Sequence, residues 1–297
     1  MKQVAVIGGG TMGNGIAQVL ASSGFQVNLV DASPEALVSA RLSIQRSLRK
    51  LVEKGKLPLG MPDEIVQRIQ GFSDLEAAVK NCQLVIEAIP EKKVAKQELF
   101  RKLDRYCSPE TLLATNTSSI SITALASATN RPHLVIGMHF MNPVPLMPLV
   151  EVIPGLLTAK ETVSIILNLA IQLGKTPHVA ADYPGFISNR ILLPMLNESI
   201  ICLQEKVGGV HEIDQIMKLG MGHPIGPLQL ADFIGLDVCL AILNVLHEGM
   251  GDAKYAPAWL LKQMVEAGRL GVKTREGFYS YDHAGKLISI SPPFQNL

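Results

Sequence analysis

The sequence lacks the features that mark nucleic-acid-binding and membrane proteins. Its 297 residues carry a net charge of only +1, and no segment interleaves clustered Lys and Arg with aromatic residues, so we expect no nucleic-acid partner. No uninterrupted apolar run approaches the roughly 18 residues that a membrane-spanning helix needs. Residues 1–3 lead directly into an apolar strand and leave no room for a signal peptide. These absences predict a cytoplasmic protein with no membrane partner.

Cysteine is scarce, and its spacing matches no metal-binding motif. The four cysteines lie far apart without a Cys-x-x-Cys pair, at Cys82, Cys107, Cys202 and Cys239. This spacing predicts free thiols in a reducing compartment and no cysteine metal site. No internal repeat or low-complexity segment is evident either.

The pattern of apolar residues changes near Pro184. Before this residue, short β-rich runs alternate with amphipathic or Ala-rich segments, which predicts a mainly parallel sheet with helices on both faces over residues 1–183. After it, apolar residues recur at helical spacing, which predicts an all-α domain over residues 184–297. The sequence therefore indicates an α/β domain followed by a helical one.

A glycine-rich turn follows the first predicted strand. Gly8, Gly10 and Gly13, with Thr11 and Met12 between the last two, fit the pattern G-x-G-x-x-G between a strand and a helix. In this context the glycines allow a tight turn, a close approach to a pyrophosphate, and close packing of the helix on the strand. Glycines that serve only a tight bend are the alternative. The context favours a Rossmann-like dinucleotide site.

Asp31 indicates which dinucleotide is bound. It ends the next apolar run, at about the spacing expected for the acid that hydrogen-bonds the adenosine-ribose hydroxyls. An acid there repels a 2′-phosphate, and no arginine follows at once, so we expect NAD rather than NADP. The alternative is that Asp31 caps a helix that begins at Pro34.

A histidine at a predicted strand tip is the candidate acid/base group. His139 ends an apolar run and is followed closely by the chain-breaking pair Asn142-Pro143. Glu151 lies in the next apolar run, residues 149–153, and a returning strand would bring it alongside to orient the ring. The alternative is a core histidine near an unrelated surface glutamate.

Polar residues also follow two other predicted strands. Glu91 and Lys96 come after the run 84–88, and Ser118 comes after the run 112–115. In an open α/β sheet, ligands bind beyond the carboxyl ends of the strands. By spacing alone, Glu91 and Lys96 are typical of a solvated helix start, and Ser118 is typical of a helix cap.

Together these motifs resemble the L-3-hydroxyacyl-CoA dehydrogenases, most closely the stand-alone 3-hydroxybutyryl-CoA dehydrogenases. The resemblance covers nearly the whole chain and rests on several motifs in one order. They are the 8–13 turn, Glu87-Ala88 with Glu91, residues 116–119, residues 137–143, Asp182 with residues 184–186, Asn189-Arg190, Gly222 with Pro224 and Gly226-Pro227, Asp232 with residues 235–237, and Gly271, Lys273 and residues 277–279.

The resemblance implies a role for each motif. It implies that His139 is the general acid/base and Glu151 its orienting partner, with Ser118 and Asn189 as catalytic and substrate-binding hydrogen-bonders. It further implies cofactor contacts at the glycine turn and at Asp31, Glu91, Lys96, Ser118, Asn142 and Lys273, and contacts with the CoA substrate at Ser43 and Lys50. No metal and no covalent nucleophile are required. Because Asn189 follows Pro184, the resemblance places the site between the two domains, and it implies a homodimer.

Some residues depart from the family pattern, and two other functions remain open. Met141 stands where a second phenylalanine is common, Arg275 replaces a frequent glycine, and Pro90 with Lys92 and Lys93 alters the loop around Glu91. One alternative is a dehydrogenase of the same fold for a hydroxy acid without CoA, of the carnitine or gulonate type. The other is a structural protein that binds NAD without catalysis.

Overall fold

The apolar runs of the first half of the chain form one eight-stranded sheet. The computed structural model describes residues 1–295, and its strands lie in the order β3-β2-β1-β4-β5-β6-β7-β8. The strands are β1 Gln3–Ile7, β2 Gln26–Val30, β3 Ile69–Phe72, β4 Leu84–Glu87, β5 Leu112–Thr115, β6 Val135–Phe140, β7 Leu149–Pro154 and β8 Thr176–Val179. Within this eight-stranded sheet, only β6 and β7 pair antiparallel. The predicted mainly parallel sheet is confirmed.

Helices connect these strands. They are α1 Thr11–Ser22, α2 Pro34–Glu53, α3 Met61–Gln67, α4 Leu75–Val79, α5 Lys93–Tyr106, α6 Ile122–Ala126 and α7 Lys160–Gln172. The strand order runs outward in opposite directions from β1 and β4. Because parallel crossovers are right-handed, this reversal puts the two sets of connecting helices on opposite faces. Dinucleotides bind at such a reversal point, beyond the carboxyl ends of the strands.

The central strands are apolar because they are covered on both faces. In β1, β4 and β5 almost every residue is buried, as in parallel sheets generally. Ile16 and Leu20 of α1 and Ile44 and Leu48 of α2 are fully buried in the same core. Each such side chain stabilises the fold by about 1.5–3 kcal/mol relative to an exposed position. The polar residues at the strand ends are therefore attached to a well-packed core.

The chain divides into two compact units, Met1–Tyr183 and Pro184–Leu297. The helices of the second unit are α8 Ser188–Gln204, α9 Val210–Met221, α10 Pro227–Ile234, α11 Leu236–Met250 and α12 Trp259–Glu266. A small antiparallel hairpin of β9 Tyr279–Tyr281 and β10 Leu287–Ile290 follows them. The unit is mainly helical, as predicted, but it is not all-α, because the helical spacing of the earlier segments does not continue into these short strands.

Two buried carboxylates attach the hairpin to the helices. Asp232 on α10 accepts hydrogen bonds from the backbone N–H groups of Phe278 and Tyr279 and from the hydroxyl of Tyr281, at 2.9–3.0 Å. Asp214 on α9 accepts one from the hydroxyl of Tyr279 at 2.8 Å. Burial, opposed by these hydrogen bonds and assisted by the charge of Asp214, raises the pKa of Asp232 to about 7. The hairpin is thus held by polar groups as well as by apolar packing.

Across residues 1–295, no single helix is long and apolar enough to cross a membrane. Helices α10 and α11 reach the required length and composition only when taken together, across a bend of 95°. The same residues contain no group of three or more His, Cys, Asp or Glu side chains arranged to hold a metal ion.

Candidate active site

The glycine turn between β1 and α1 has the shape that a pyrophosphate requires. Gly8 has a φ of 109°, and a Cβ there would lie 2.6 Å from the carbonyl oxygen of Ala88. A Cβ on Gly13 would lie 1.8 Å from the carbonyl oxygen of Gly8, so only glycine lets α1 pack this closely. A Cβ on Gly10 would meet no atom within 4 Å. The turn is therefore closed on the protein side and open at the start of α1, where Thr11 begins the helix and unpaired N–H groups favour an anion.

Asp31 lies beside this turn. One carboxylate oxygen accepts the N–H of Gly9 at 2.7 Å, and the other accepts the N–H of Ser33 at 2.9 Å. The cap of α2 is Ser33, whose hydroxyl accepts the N–H of Ala36 at 3.1 Å. The alternative in which Asp31 caps the helix is therefore wrong. Its carboxylate instead belongs to the glycine turn, where a dinucleotide ribose would bind.

His139 and Glu151 form a buried hydrogen-bonded pair. They lie directly opposite each other on the antiparallel strands β6 and β7, and Nδ1 of His139 is 2.9 Å from Oε2 of Glu151. The residues are 7% and 3% exposed. A carboxylate only accepts hydrogen bonds, so Nδ1 carries the proton in the neutral ring and Nε2 is the ring nitrogen that can act as the base. The prediction that Glu151 returns alongside His139 is confirmed, and the alternative of an unrelated surface glutamate is wrong.

Two side chains to which the sequence assigned no role hold the loop after β6 in place. The side-chain oxygen of Asn116 accepts the N–H of Phe140 at 2.8 Å and joins the end of β5 to the end of β6. The ammonium of Lys175 donates to the carbonyl oxygens of Val144 and Met147 at 2.5 and 2.8 Å, and burial lowers the pKa of this lysine. These contacts fix the segment that carries the predicted cofactor contact Asn142, which is exposed.

Ser118 lies in a turn that a single carboxylate organises. One oxygen of Glu91, Oε1, accepts from the hydroxyl of Thr117 at 2.5 Å and from the N–H groups of Ser118 and Ser119 at 2.9 and 3.1 Å. The serine hydroxyls lie at 3.3 and 3.0 Å from the same oxygen. Helix α6 is capped by Ser121, so the alternative that Ser118 caps the helix is wrong. Ser118 is half-buried at the same sheet edge as His139.

Lys96 is buried and not part of a solvated helix start. The residue is 1% exposed, and its ammonium contacts Glu87 Oε1 at 2.5 Å, the carbonyl oxygen of Ile89 at 3.1 Å and Glu91 Oε2 at 3.2 Å. Burial alone would raise the pKa of Glu91, but the charge of Lys96 and the hydrogen bonds from Thr117 and Ser118 outweigh it and hold that pKa below its ordinary value. The direct cofactor contact predicted for Lys96 stays a prediction, and its burial favours an indirect role.

Ser43 and Lys50 lie on α2. They are seven positions apart, so they share one face of the helix two turns apart. Ser43 is half-buried and Lys50 is exposed. Exposed basic residues flank them along the same segment, at Arg41, Arg46, Arg49, Lys54 and Lys56. This surface suits the phosphates of a CoA group.

Two predicted site residues belong to the second unit. Asn189 lies in the first turn of α8, where its N–H donates to the carbonyl oxygen of Gly185 at 3.1 Å. Lys273 forms an ion pair with Asp237. Arg275, where the family commonly has glycine, has a φ of 64°, a left-handed conformation that costs a non-glycine residue about 1–2 kcal/mol. The backbone at Arg275 therefore has a conformation that glycine adopts at little cost.

Comparison with known proteins identifies the family. The family model of the 3-hydroxyacyl-CoA dehydrogenase NAD binding domain matches residues 3–183, and that of the 3-hydroxyacyl-CoA dehydrogenase C-terminal domain matches residues 185–281. The chain belongs to the 3-hydroxyacyl-CoA dehydrogenase family. Its first unit is the NAD-binding domain of that family, in agreement with the shape of the glycine turn.

Individual relatives agree over nearly the full length. The chain is 56% identical to a probable 3-hydroxybutyryl-CoA dehydrogenase of Deinococcus radiodurans, over 93% of this chain and 99% of that protein. It is 52% identical to the probable 3-hydroxybutyryl-CoA dehydrogenase of Bacillus subtilis, over 95% and 98%. The crystal structure of (S)-3-hydroxybutyryl-CoA dehydrogenase from Ralstonia eutropha matches with a TM-score of 0.91 at 45% identity and covers 95% of this chain and 99% of that one.

Proposed function

We propose that this protein oxidises L-3-hydroxyacyl-CoA, with 3-hydroxybutyryl-CoA as its substrate, to 3-oxoacyl-CoA and catalyses the reverse reduction. The buried pair of His139 and Glu151, at the sheet edge that also carries the glycine turn, is the observation that carries this proposal. The pair supplies the base for a proton transfer, and the turn supplies the site for a dinucleotide. A binding protein without catalysis would need neither the burial nor the alignment of this pair.

The chain's own residues account for the proton transfer. Neutral His139 takes the proton of the substrate's C3 hydroxyl at Nε2, and Glu151 stabilises the imidazolium that forms. In the reverse direction the imidazolium returns the proton. NAD, when bound, accepts or donates the hydride at C3. Ser118 and Asn189 hold the reacting oxygen and the acyl carbonyl, since a misplacement of about 1 Å can cost about a hundredfold in rate.

The residues proposed to bind cofactor and substrate come from the family resemblance. The residues proposed to hold NAD are Gly8, Gly10, Thr11, Met12, Gly13, Asp31, Glu91, Lys96, Ser118, Asn142 and Lys273. Lys96 acts through Glu91, because its ammonium is buried. Asp31 favours NAD over NADP by accepting ribose hydroxyls and repelling a 2′-phosphate. Ser43 and Lys50 are proposed to contact CoA from α2, supported by the positive surface around them.

We also propose that the protein is a cytoplasmic homodimer. The second unit exposes large apolar side chains on α9, where Ile216, Leu219 and Met221 are 63–83% exposed. Burial against a second copy would remove this surface from water. Three of the four cysteines are buried as free thiols, which suits a reducing compartment. Light scattering coupled to size-exclusion chromatography measures the dimer directly, and a monomer at micromolar concentration would contradict it.

The substitution His139→Gln tests the proposed reaction. We expect it to lower turnover of 3-hydroxybutyryl-CoA by about 10²–10⁴-fold, the usual contribution of a general acid/base, with NADH affinity retained. NADH formation is followed spectrophotometrically across acyl-CoA chain lengths and with free 3-hydroxybutyrate. Unchanged turnover in the variant would overturn the role of His139. Faster oxidation of the free acid than of the thioester would instead favour a hydroxy acid without CoA as substrate.

A further inference from the structure

A chain of three charges, of which Glu87 and Lys96 are buried, ends at the turn that carries Ser118. Glu87 is fully buried, and its carboxylate accepts from Lys96 Nζ at 2.5 Å, from the N–H of Ile89 at 2.7 Å and from the hydroxyl of Thr115 at 2.6 Å. Lys96 in turn reaches Glu91, at 3.2 Å. Two carboxylates therefore share one ammonium ion, and the chain leads from the interior of the sheet to its carboxyl edge.

The buried Lys96 ammonium has three acceptor groups of the protein within 3.2 Å. It donates to Glu87 and to the carbonyl of Ile89, and it forms an ion pair with Glu91. The charge of Lys96 therefore serves to hold Glu87 and Glu91 in place. Glu91 is also kept ionised, so that it only accepts hydrogen bonds.

Glu91 fixes the Ser118 turn through a single oxygen. Five donors from residues 117–119 lie within 3.3 Å of Oε1, more than the roughly two lone-pair sites of one carboxylate oxygen can satisfy fully. The shortest contacts come from the Thr117 hydroxyl and the Ser118 N–H, which set the backbone. The longest, at 3.3 Å, comes from the Ser118 hydroxyl. Of the five contacts with Oε1, the one from this hydroxyl is therefore the weakest.

We propose that Glu91, held by the buried Lys96–Glu87 pair, is a positioning residue that sets the Ser118 hydroxyl for the reaction. It acts on the reaction through that serine, beside the contact with NAD that is proposed for Glu91. The inference rests on the proposed function, because it requires that Ser118 touches the substrate. It gives Glu87, to which sequence reasoning assigned no role, a place in the support of the site. It also gives Glu91 and Lys96 a task in addition to the proposed cofactor contacts.

A double-mutant cycle tests this proposal. Wild type, Glu91→Gln, Ser118→Ala and the double variant are compared for kcat and KM with the acyl-CoA substrate, and for the Kd of NADH measured by its fluorescence. We expect Glu91→Gln alone to lower kcat at saturating substrate and NAD by about tenfold or more, because the serine is displaced. In the Ser118→Ala background the same substitution should change kcat by less than about twofold, since coupled residues are not additive.

Several outcomes would overturn the inference. If Glu91→Gln raises the NADH Kd and leaves kcat unchanged, Glu91 contacts the cofactor but does not position Ser118. If the two substitutions lower kcat additively, Glu91 does not act through Ser118. The exposed Glu98 on α5 provides the matched control, because Glu98→Gln makes the same chemical change away from the turn. An equal loss of kcat in both variants would also contradict the proposal.

A second pair of variants covers a failure of Glu91→Gln to fold. Thr117→Ser keeps the hydroxyl that donates to Glu91, whereas Thr117→Val keeps the shape and removes the donor. We expect the serine variant to retain kcat within about threefold and the valine variant to lose about tenfold or more. Equal activities would overturn the inference. If the wild-type protein turns over no 3-hydroxyacyl-CoA, the proposed function and the inference both fail. If the wild type is active and the effects of Glu91→Gln and Ser118→Ala on kcat are additive, only the inference fails.

Discussion

Replacement of Glu151 by glutamine removes one negative charge from the buried acid/base pair and keeps the size of the side chain. In the wild-type protein the carboxylate holds the proton on Nδ1 of His139 at 2.9 Å and faces the imidazolium that forms when Nε2 takes a proton. Glutamine offers a neutral amide instead. Its NH2 group can donate to Nδ1, which would move the ring proton to Nε2 and block the base. Both effects act on turnover.

The size of the loss follows from the burial of the pair. With charges about 4 Å apart and an effective dielectric constant of about 20, the attraction between imidazolium and carboxylate is about 4 kcal/mol. The net value of a hydrogen bond to a charged group is smaller, about 1.5–3 kcal/mol, and sets the expected loss. At 3% exposure for Glu151, solvent screening does not reduce this figure much. Each 1.36 kcal/mol is a tenfold change in rate, so we expect kcat to fall by about 10- to 150-fold.

The assay separates turnover from binding. Steady-state oxidation of 3-hydroxybutyryl-CoA gives kcat, fluorescence titration gives the NADH Kd, and thermal unfolding reports the fold. We expect a large fall in kcat with a Kd within about threefold of wild type. The exposed Glu161 on α7 is a matched control for the loss of a carboxylate. An unchanged kcat would refute the stabilisation of the imidazolium, and equal losses of kcat and NADH affinity would show that Glu151 serves the fold instead.

Three further predictions concern the glycine turn, the cofactor and the second unit. Gly13→Ala should lower both the Tm and the NADH affinity, because its Cβ would lie 1.8 Å from the carbonyl oxygen of Gly8. Gly10→Ala should lower the NADH affinity and leave the Tm unchanged, because its Cβ would meet no atom within 4 Å. Equal Tm values for the two variants would contradict this prediction. Asp31→Ala should narrow the preference for NAD over NADP by about tenfold or more in kcat/KM, and an unchanged ratio would place the selectivity elsewhere. Because burial raises the pKa of Asp232 to about 7, the folded state binds its proton more tightly than the unfolded state. The stabilisation by protonated Asp232 is therefore complete below about pH 4 and is lost as the pH rises to about 7. The loss in the free energy of unfolding is up to about 4 kcal/mol. In chemical unfolding, the free energy of unfolding of Asp232→Asn should depend less on pH over this range than that of the wild type.

Local signals in the sequence were enough to predict the sheet, the glycine turn and the His139–Glu151 pair. Each depends on short-range chemistry: apolar runs that alternate with helices, glycines at fixed spacing, and a chain break after a strand. The start of α2 has a local signal of the same kind, because Ser33 caps the helix and Pro34 is its first residue.

The contacts that hold the site residues in place could not be predicted from such local signals. Glu87 and Lys96 are nine residues apart, and no local pattern shows that both are buried or that they meet at 2.5 Å. The contacts of Lys175 with the loop after β6 depend on residues about 30 positions away. The hairpin of β9 and β10 was missed because its strands are short and are held by distant carboxylates on α9 and α10. Only the folded chain brings these groups together.

The direct opposition of His139 and Glu151 on neighbouring strands bears on how this enzyme family can diversify. The pairing register of β6 and β7 aligns the two side chains, so the pair does not depend on the residues of the loop that joins the strands. Substitutions in the loop, from Met141 to Pro148, therefore leave the alignment of the proton-transfer pair to the strands. A slip of one residue in the register would instead turn Glu151 to the opposite face of the sheet. Selection can therefore vary the loop without moving the pair, because the pair is encoded in the strands.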